Sequence, residues 1–128
     1  MKLTSNFNLE EFECKCGCKM PEFVKKNISE LADNLQVLRD VVGRLDPTNG
    51  YRCKDHNADV GGSVNSQHLK GKAADIKSKQ FSPSEIATIT DDLMKNESFT
   101  LGGVGIYNTF THVDIRGTRA RWSKTNKK

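Results

Sequence analysis

The sequence has 128 residues, of which 35% are hydrophobic and 28% are charged. This length is typical of one domain with one hydrophobic core, so we expect a single domain over residues 1–128. The net charge of +4 is small and its acidic and basic residues are interspersed, which argues against a nucleic-acid-binding surface, and no apolar run is long enough for membrane insertion. We expect a monomer with a disordered basic tail at about 123–128.

The first 26 residues show no sustained hydrophobic period. Within them, the short amphipathic segment 9–12 is expected to place Phe7 and Phe12 on the core. Polar and charged residues after Lys2 interrupt any apolar segment, so the pattern of a secretory signal peptide is absent. We therefore expect synthesis in the cytoplasm without a signal peptide.

The spacing of apolar residues predicts a helix over about 27–45. Asn27 can cap its start, and Pro47 lies just past its end. The apolar positions are three or four apart and form one continuous stripe: Ile28, Leu31, Leu35, Leu38, Val42 and Leu45.

A second helix is predicted to begin at residues 82–85. Ser82 and Glu85 have the spacing of a capping box, and Pro83 occupies the first helical position, where no backbone donor is needed. The inner face is formed by Ile86, Ile89 and Leu93.

Short strands are predicted between and after these helices. Asn108 and Thr109 are suited to a tight hairpin between the last two strands. The pattern therefore predicts an α+β fold, a small antiparallel sheet with helices packed on one side. The strand ranges are 49–52, 72–77, 103–107 and 110–115.

Two histidines lie in segments that also contain an aspartate. His68 precedes Asp75, which sits in a strand-like run where a buried carboxylate needs a cation. His112 and Asp114 share one face of the last strand. Two imidazoles and one carboxylate form a recognised catalytic zinc set, although the same ligands can hold Fe(II), and ordinary polar residues are the simpler alternative.

The motifs that surround these residues resemble those of the M15 zinc peptidases, which include D-Ala-D-Ala carboxypeptidases, peptidoglycan endopeptidases and phage endolysins. The resemblance covers roughly residues 6–122 and implies an M15 / hedgehog-like fold with the zinc site in a cleft on the sheet. The matching runs are Gly50-Tyr51-Arg52, Asn57, Val60-Gly61-Gly62, Ser66-Gln67-His68, Gly71, Ala73-Ala74-Asp75, Gly103-Val104-Gly105-Ile106-Tyr107, His112-Val113-Asp114-Ile115-Arg116-Gly117 and Arg121-Trp122.

The resemblance implies that His68, Asp75 and His112 are the ligands of one catalytic zinc ion. It places Arg52 over the cleft, where its fork suits a substrate carboxylate or the oxyanion of the tetrahedral intermediate; a surface ion pair is the alternative. Ser66 would contact the substrate, or it would only bond to the loop backbone.

The sequence departs from the usual M15 pattern at the position of the general base. Many M15 members have Glu or Asp three residues before the last zinc histidine, where this sequence has Thr109. Asp114 is the nearest replacement, because it shares a strand face with His112. It could accept the proton of the attacking water, or it could orient His112 or Arg116.

The four cysteines form a second group of potential ligands. Cys14, Cys16 and Cys18 make a C-x-C-x-C run, and Cys53 follows Arg52. They could hold a structural zinc, with His56 as a spare ligand, although this spacing is tighter than the usual one. Free thiols and, after export, disulfides are the alternatives.

These features favour a zinc metallopeptidase that cuts peptidoglycan peptides at the bacterial cell wall, after phage-type release from the cytoplasm. Two alternatives remain open: a non-catalytic zinc-containing wall-binding module, and a structural component of a phage particle or secretion apparatus. The bond could be D-Ala-D-Ala, L-Ala-D-Glu or one in the crossbridge.

Overall fold

The structure is a computed structural model, and it describes residues 1–125. The regular elements follow one another as a 3-10 helix Leu9–Phe12, α1 Glu22–Val42, β1 Asp46–Asn49, α2 Lys54–Asp59, a 3-10 helix Gln67–Lys70, β2 Ala73–Lys77, α3 Pro83–Lys95, β3 Gly103–Tyr107, β4 Thr111–Asp114 and β5 Ala120–Lys124. The expected disordered tail is wrong at its start, because residues 123 and 124 belong to β5. Residues 126–128 lie outside the described residues.

The five strands form one sheet in the order β1-β2-β4-β3-β5. Every neighbouring pair is antiparallel except β3 and β5, which are parallel. The predicted hairpin is confirmed, since β3 and β4 pair directly across residues 108 and 109. The α+β class is confirmed, with a sheet that is mostly antiparallel.

Helix α1 extends the predicted stripe toward the N-terminus. It begins at Glu22, after Pro21, so the predicted start and the Asn27 cap are wrong. Val24 lies four residues before Ile28 and is fully buried, so it adds one turn to the same stripe. The helix ends at Val42 instead of residue 45, because the next residue, a glycine, has a φ of +82°.

Helix α3 begins as predicted. Ser82 Oγ accepts a hydrogen bond from Glu85 N, and Glu85 Oε1 accepts one from Ser82 N, which completes the capping box. Its inner residue Ile86 is buried against the sheet, while Ile89 is only partly buried.

The edge strands differ most from prediction. β1 covers Asp46–Asn49 instead of 49–52, and it includes Pro47. Proline is tolerated there because β1 is an edge strand, where one side of the backbone has no partner. β5 was not predicted.

The two faces of the sheet carry different side chains, one packing on the core and the other carrying candidate site residues. On β4, Thr111 and Val113 face the core, and Thr111 Oγ1 donates a hydrogen bond to the carbonyl of Pro83 at the start of α3. His112 and Asp114 face the other side, as the alternation of a strand requires. The core also buries the predicted N-terminal aromatics Phe7 and Phe12. Within residues 1–125, no helix combines the length and the apolar character needed to cross a membrane.

Candidate metal centre and active-site cleft

Three elements bring His68, Asp75 and His112 together. The short 3-10 helix Gln67–Lys70 carries His68, and the paired strands β2 and β4 place Asp75 directly beside His112. All three side chains are buried, and one ligand atom from each lies within 4.8 Å of the others. We call this group the His–Asp–His triad.

The hydrogen bonds of His68 leave a lone pair facing the triad. Its Nδ1 lies 2.7 Å from the carbonyl oxygen of Gly50, which can only accept, so Nδ1 holds the proton. In the neutral ring, Nε2 is then a bare acceptor. It faces Asp75 Oδ1, a second acceptor, at 3.3 Å.

His112 is arranged in the same way with the opposite nitrogen. Its Nε2 donates to Asp114 Oδ2 at 2.8 Å, so Nδ1 is the free acceptor of the neutral ring. Nδ1 faces Asp75 Oδ1 at 3.2 Å. Both imidazole lone pairs therefore point at one carboxylate oxygen, an arrangement that only a cation or added protons can stabilise.

The charges around the triad agree with this conclusion. Burial alone would raise the pKa of Asp75, but the hydrogen bonds that the His112 and His68 rings donate to it when they carry the added protons outweigh burial and hold that pKa well below its usual range. Burial would lower the pKa of His112, yet Asp114 and Asp75 raise it. A proton and a metal ion thus compete for the same nitrogens. Two imidazoles and one carboxylate suit zinc with a further position open.

Asp114 lies behind His112, away from the triad. It is fully buried, and its two oxygens accept hydrogen bonds from the His112 ring, from Gly103 N at 2.7 Å, and from the backbone and guanidinium of Arg116. A Cβ on Gly103 would lie 2.4 Å from Asp114 Oδ2, so glycine is needed for this close approach. These contacts hold the pKa of Asp114 well below its usual range, although burial alone would raise it.

This geometry does not fit the predicted role of Asp114 as general base. Its proton-accepting oxygens are occupied, and it contacts the nitrogen of His112 that faces away from Asp75. It fits the alternative, in which a carboxylate orients a ligating histidine and fixes its tautomer.

The triad forms part of the wall of a cleft of about 570 Å³. Arg52 and Ser66 both line it, as predicted, and Arg52 Nη2 donates to Ser66 Oγ at 3.2 Å. Ser66 Oγ also accepts from His68 N, so its bond to the loop backbone is present. Arg52 Nε is buried without a partner, and no carboxylate among residues 1–125 forms an ion pair with Arg52. The alternative role of Arg52, as a member of a surface ion pair, is therefore wrong for the described residues.

Comparison with known families shows the family to which the chain belongs. The model of the family Peptidase M15 matches residues 5–114. The chain belongs to peptidase family M15. A search of curated proteins found no match. M15 peptidases use zinc, so the family and the His–Asp–His triad both indicate a metallopeptidase, a hydrolase of peptide bonds.

The cleft of this M15 peptidase has an aromatic wall that the sequence analysis did not assign. Tyr107 and Phe110 stack with ring centroids 4.4 Å apart, and Trp122 Nε1 donates to the Tyr107 hydroxyl at 3.0 Å. Trp122 lies across Gly105, where an added Cβ would come within 2.3 Å of the indole. Its ring centroid is 4.9 Å from that of His112. The aromatic residues were visible in the sequence, but the parallel β5 that positions Trp122 was not.

The remaining predicted residues lie outside the triad. Thr109 is exposed in the β3–β4 turn and does not line the cleft. Among the described residues that line the cleft, Asp75 is the only acidic one.

The four cysteines form a separate group, the cysteine cluster, while His56 contributes only its backbone N–H there. The members of this cluster are Cys14, Cys16, Cys18 and Cys53.

Proposed function

We propose that this M15 peptidase is zinc-dependent and hydrolyses peptide bonds in peptidoglycan stem peptides, as a phage-type cell-wall lytic enzyme. The bond would be D-Ala-D-Ala, in a carboxypeptidase, or L-Ala-D-Glu or a crossbridge bond, in an endopeptidase. The observation on which the proposal rests is that one ligand atom each from His68, Asp75 and His112 lies within 4.8 Å of the others in the cleft wall.

Each residue of the triad is prepared to bind a cation. When bound, zinc polarises the scissile carbonyl and lowers the pKa of its water to about 7. The Gly50 carbonyl keeps the His68 proton on Nδ1, and Asp114 keeps the His112 proton on Nε2. Both imidazoles therefore present the nitrogen that a metal needs, without a change of tautomer.

Arg52 supplies the positive charge that an anionic substrate group requires. Its guanidinium lines the cleft, has no carboxylate partner in residues 1–125 and keeps one N–H donor unpaired. Ser66 holds one end of that guanidinium in place at 3.2 Å. The remaining donors suit a terminal carboxylate of the substrate or the oxyanion that forms during hydrolysis.

The charge of the cleft also supports an acidic peptide. Lys124 and Arg116 line it together with Arg52, and Asp75 is its only acidic residue among the described ones. Arg116 is neutralised by Asp114, so Arg52 and Lys124 are the cations left for a ligand. Stem peptides carry free carboxylates at D-Glu and at the terminal D-Ala, which fits this balance.

The test is mass spectrometry of purified peptidoglycan after digestion with the zinc-loaded protein. We expect new stem-peptide fragments that disappear with a chelator and with His68→Ala, while Asp92→Asn, an exposed isosteric change on α3, leaves them unchanged. The fragment masses would name the bond. Equal fragments from His68→Ala would overturn the proposal.

A non-catalytic wall-binding module is the second candidate. It is favoured by one observation, that no acidic residue other than Asp75 lines the described part of the cleft to act as a base. It predicts zinc in the triad and binding to cell walls with no cleavage of walls of several chemotypes. A virion component would instead be found attached to phage particles.

A further inference from the structure

The cysteine cluster lies apart from the triad and has no part in the proposed hydrolysis. One sulfur from each of its four members lies within 4.8 Å of the others. Cys14 Sγ is 3.2 Å from Cys16 Sγ, and Cys16 Sγ is 3.5 Å from Cys53 Sγ. All four residues are free cysteines.

The backbone is shaped to bring these sulfurs to one point. Gly17 has a φ of +82°, and its N–H donates to the Cys14 carbonyl at 3.0 Å, which turns the chain between the second and third cysteines. An added Cβ on Gly17 would meet nothing within 4 Å, so glycine is there for its conformation and not for space. The fourth sulfur, from Cys53, comes from a segment 37 residues after Cys16.

Backbone donors are directed at the sulfurs. Cys53 N donates to Cys14 Sγ at 3.4 Å, and His56 N donates to Cys53 Sγ at 3.4 Å. Such N–H···S bonds favour the thiolate, which is the form that binds metals.

We propose that Cys14, Cys16, Cys18 and Cys53 bind a second, structural zinc ion. Four convergent sulfurs form a closed, soft ligand set, which suits the four-coordinate geometry of structural zinc and leaves no position open for catalysis. On binding, each thiol releases its proton to solvent and its sulfur forms one bond to zinc, with no change of oxidation state. The close C-x-C spacing is accommodated by the turn at Gly17.

This zinc would fasten the N-terminal segment to the loop that supports the cleft. Tyr51 N already donates to the Phe12 carbonyl at 2.8 Å, and Gly50 packs so closely that a Cβ would lie 2.7 Å from Phe12 Cα. The carbonyl of Gly50 fixes the His68 tautomer, and Arg52 adjoins the cluster in sequence. The second zinc would therefore help to position His68 and Arg52, two residues of the cleft wall.

The primary test is metal analysis of the full chain purified in a thiol-free reductant and saturated with zinc. We expect two zinc ions per chain, and one in the double variant Cys16→Ser, Cys18→Ser. His68→Ala should also retain one, and His56→Ala, a neighbour outside the cluster, should retain two. One zinc ion in the unaltered protein, lost in His68→Ala but kept in the double variant, would overturn this inference and leave the proposed peptidase intact.

A second measurement needs no variant and so does not depend on its folding. Cys16 is exposed, so a thiol reagent should reach it rapidly unless metal protects it. We expect slow reaction of all four thiols in the zinc-loaded protein, with release of one zinc as an organomercurial titrates them. X-ray absorption spectra at the zinc edge should show four sulfur neighbours at about 2.3 Å for this ion. Four rapidly reacting thiols, a mass deficit of two hydrogens per disulfide, or bound iron in place of zinc would each contradict the proposal.

Discussion

Replacing Asp114 with asparagine tests how the metal centre is held. Asp114→Asn keeps the shape of the side chain but turns one acceptor oxygen into a donor NH2. Oδ1 can still accept from Gly103 N, as it does at 2.7 Å. The NH2 would then face His112 Nε2 and the Arg116 guanidinium, where Asp114 Oδ2 accepts at 2.8 and 2.7 Å.

The main consequence is a change of tautomer. An NH2 next to His112 Nε2 requires that nitrogen to accept, so the ring proton moves to Nδ1. Nδ1 is the atom that faces Asp75, so the proton blocks the metal position. Loss of a carboxylate behind a ligating histidine costs about 10–100-fold in metal affinity or activity, or about 1.4–2.8 kcal/mol. The upper end is expected here, because Asp114 is fully buried and its partner Arg116 also loses its ion pair.

The assay separates metal affinity from turnover. Zinc affinity is measured by competition with a chromophoric chelator, and hydrolysis is then measured with zinc at saturation. We expect weaker zinc binding in Asp114→Asn and recovery of much of the activity at high zinc. Asp92→Asn on α3 should match the unaltered protein in both.

The opposite pattern would refute the orienting role. A general base can be removed without loss of the metal, whereas its loss reduces proton transfer by about 100-fold or more. Unchanged zinc affinity with turnover reduced to that extent at every zinc concentration would assign the base to Asp114.

Three further changes have distinct expected results. Arg52→Lys keeps the charge but loses the fork held by Ser66, so kcat/KM should fall about 10–100-fold with zinc content unchanged; an equal effect of Arg44→Lys would contradict this. Asp91→Asn should make the free energy of unfolding less dependent on pH in the acid range. Arg121 lowers the pKa of Asp91 to about 2, so ionised Asp91 adds about 1 kcal/mol to the free energy of unfolding after solvent screening, a contribution that is present above pH 4 and lost as the pH falls toward 2. Urea unfolding at several pH values measures it. Phe12→Ala should cost about 3–5 kcal/mol in urea unfolding, because Phe12 is fully buried; a cost below about 1 kcal/mol would show that the N-terminal segment is not part of the core.

The helical core was largely predictable because its signals are local. The three-and-four spacing of α1 and the capping box of α3 depend on residues within one or two turns of each other. The start of α1 was missed because Pro21 was not taken as its boundary. The end was placed too late because Leu45 continues the apolar stripe past a glycine whose positive φ ends the helix.

The edges of the sheet could not be predicted from pattern alone. β5 is the run Ala-Arg-Trp-Ser-Lys, which has only two apolar residues, Ala120 and Trp122, too few to predict a strand from the sequence pattern. It pairs in parallel with β3 at the far edge, where a long-range contact decides its conformation. Since Trp122 belongs to β5, the aromatic wall of the cleft was missed with it.

The site was predictable as a set of residues but not as a geometry. The resemblance to M15 peptidases placed His68, Asp75 and His112 in one ligand set, and the alternation of β4 put Asp114 on the face of His112. The orientation of the His112 ring determines which of its two nitrogens contacts Asp114. That contact decides whether Asp114 can act as a general base or instead orients the ring. That orientation depends on close packing at Gly103, which strand periodicity does not encode.

The most direct test of the central claim is a crystal structure of the zinc-loaded protein with anomalous data at the zinc edge. We expect a peak bonded to His68 Nε2, Asp75 and His112 Nδ1 at about 2.0–2.2 Å, with His112 Nε2 still on Asp114. No peak between these side chains, or a zinc bonded through His112 Nε2, would contradict the account.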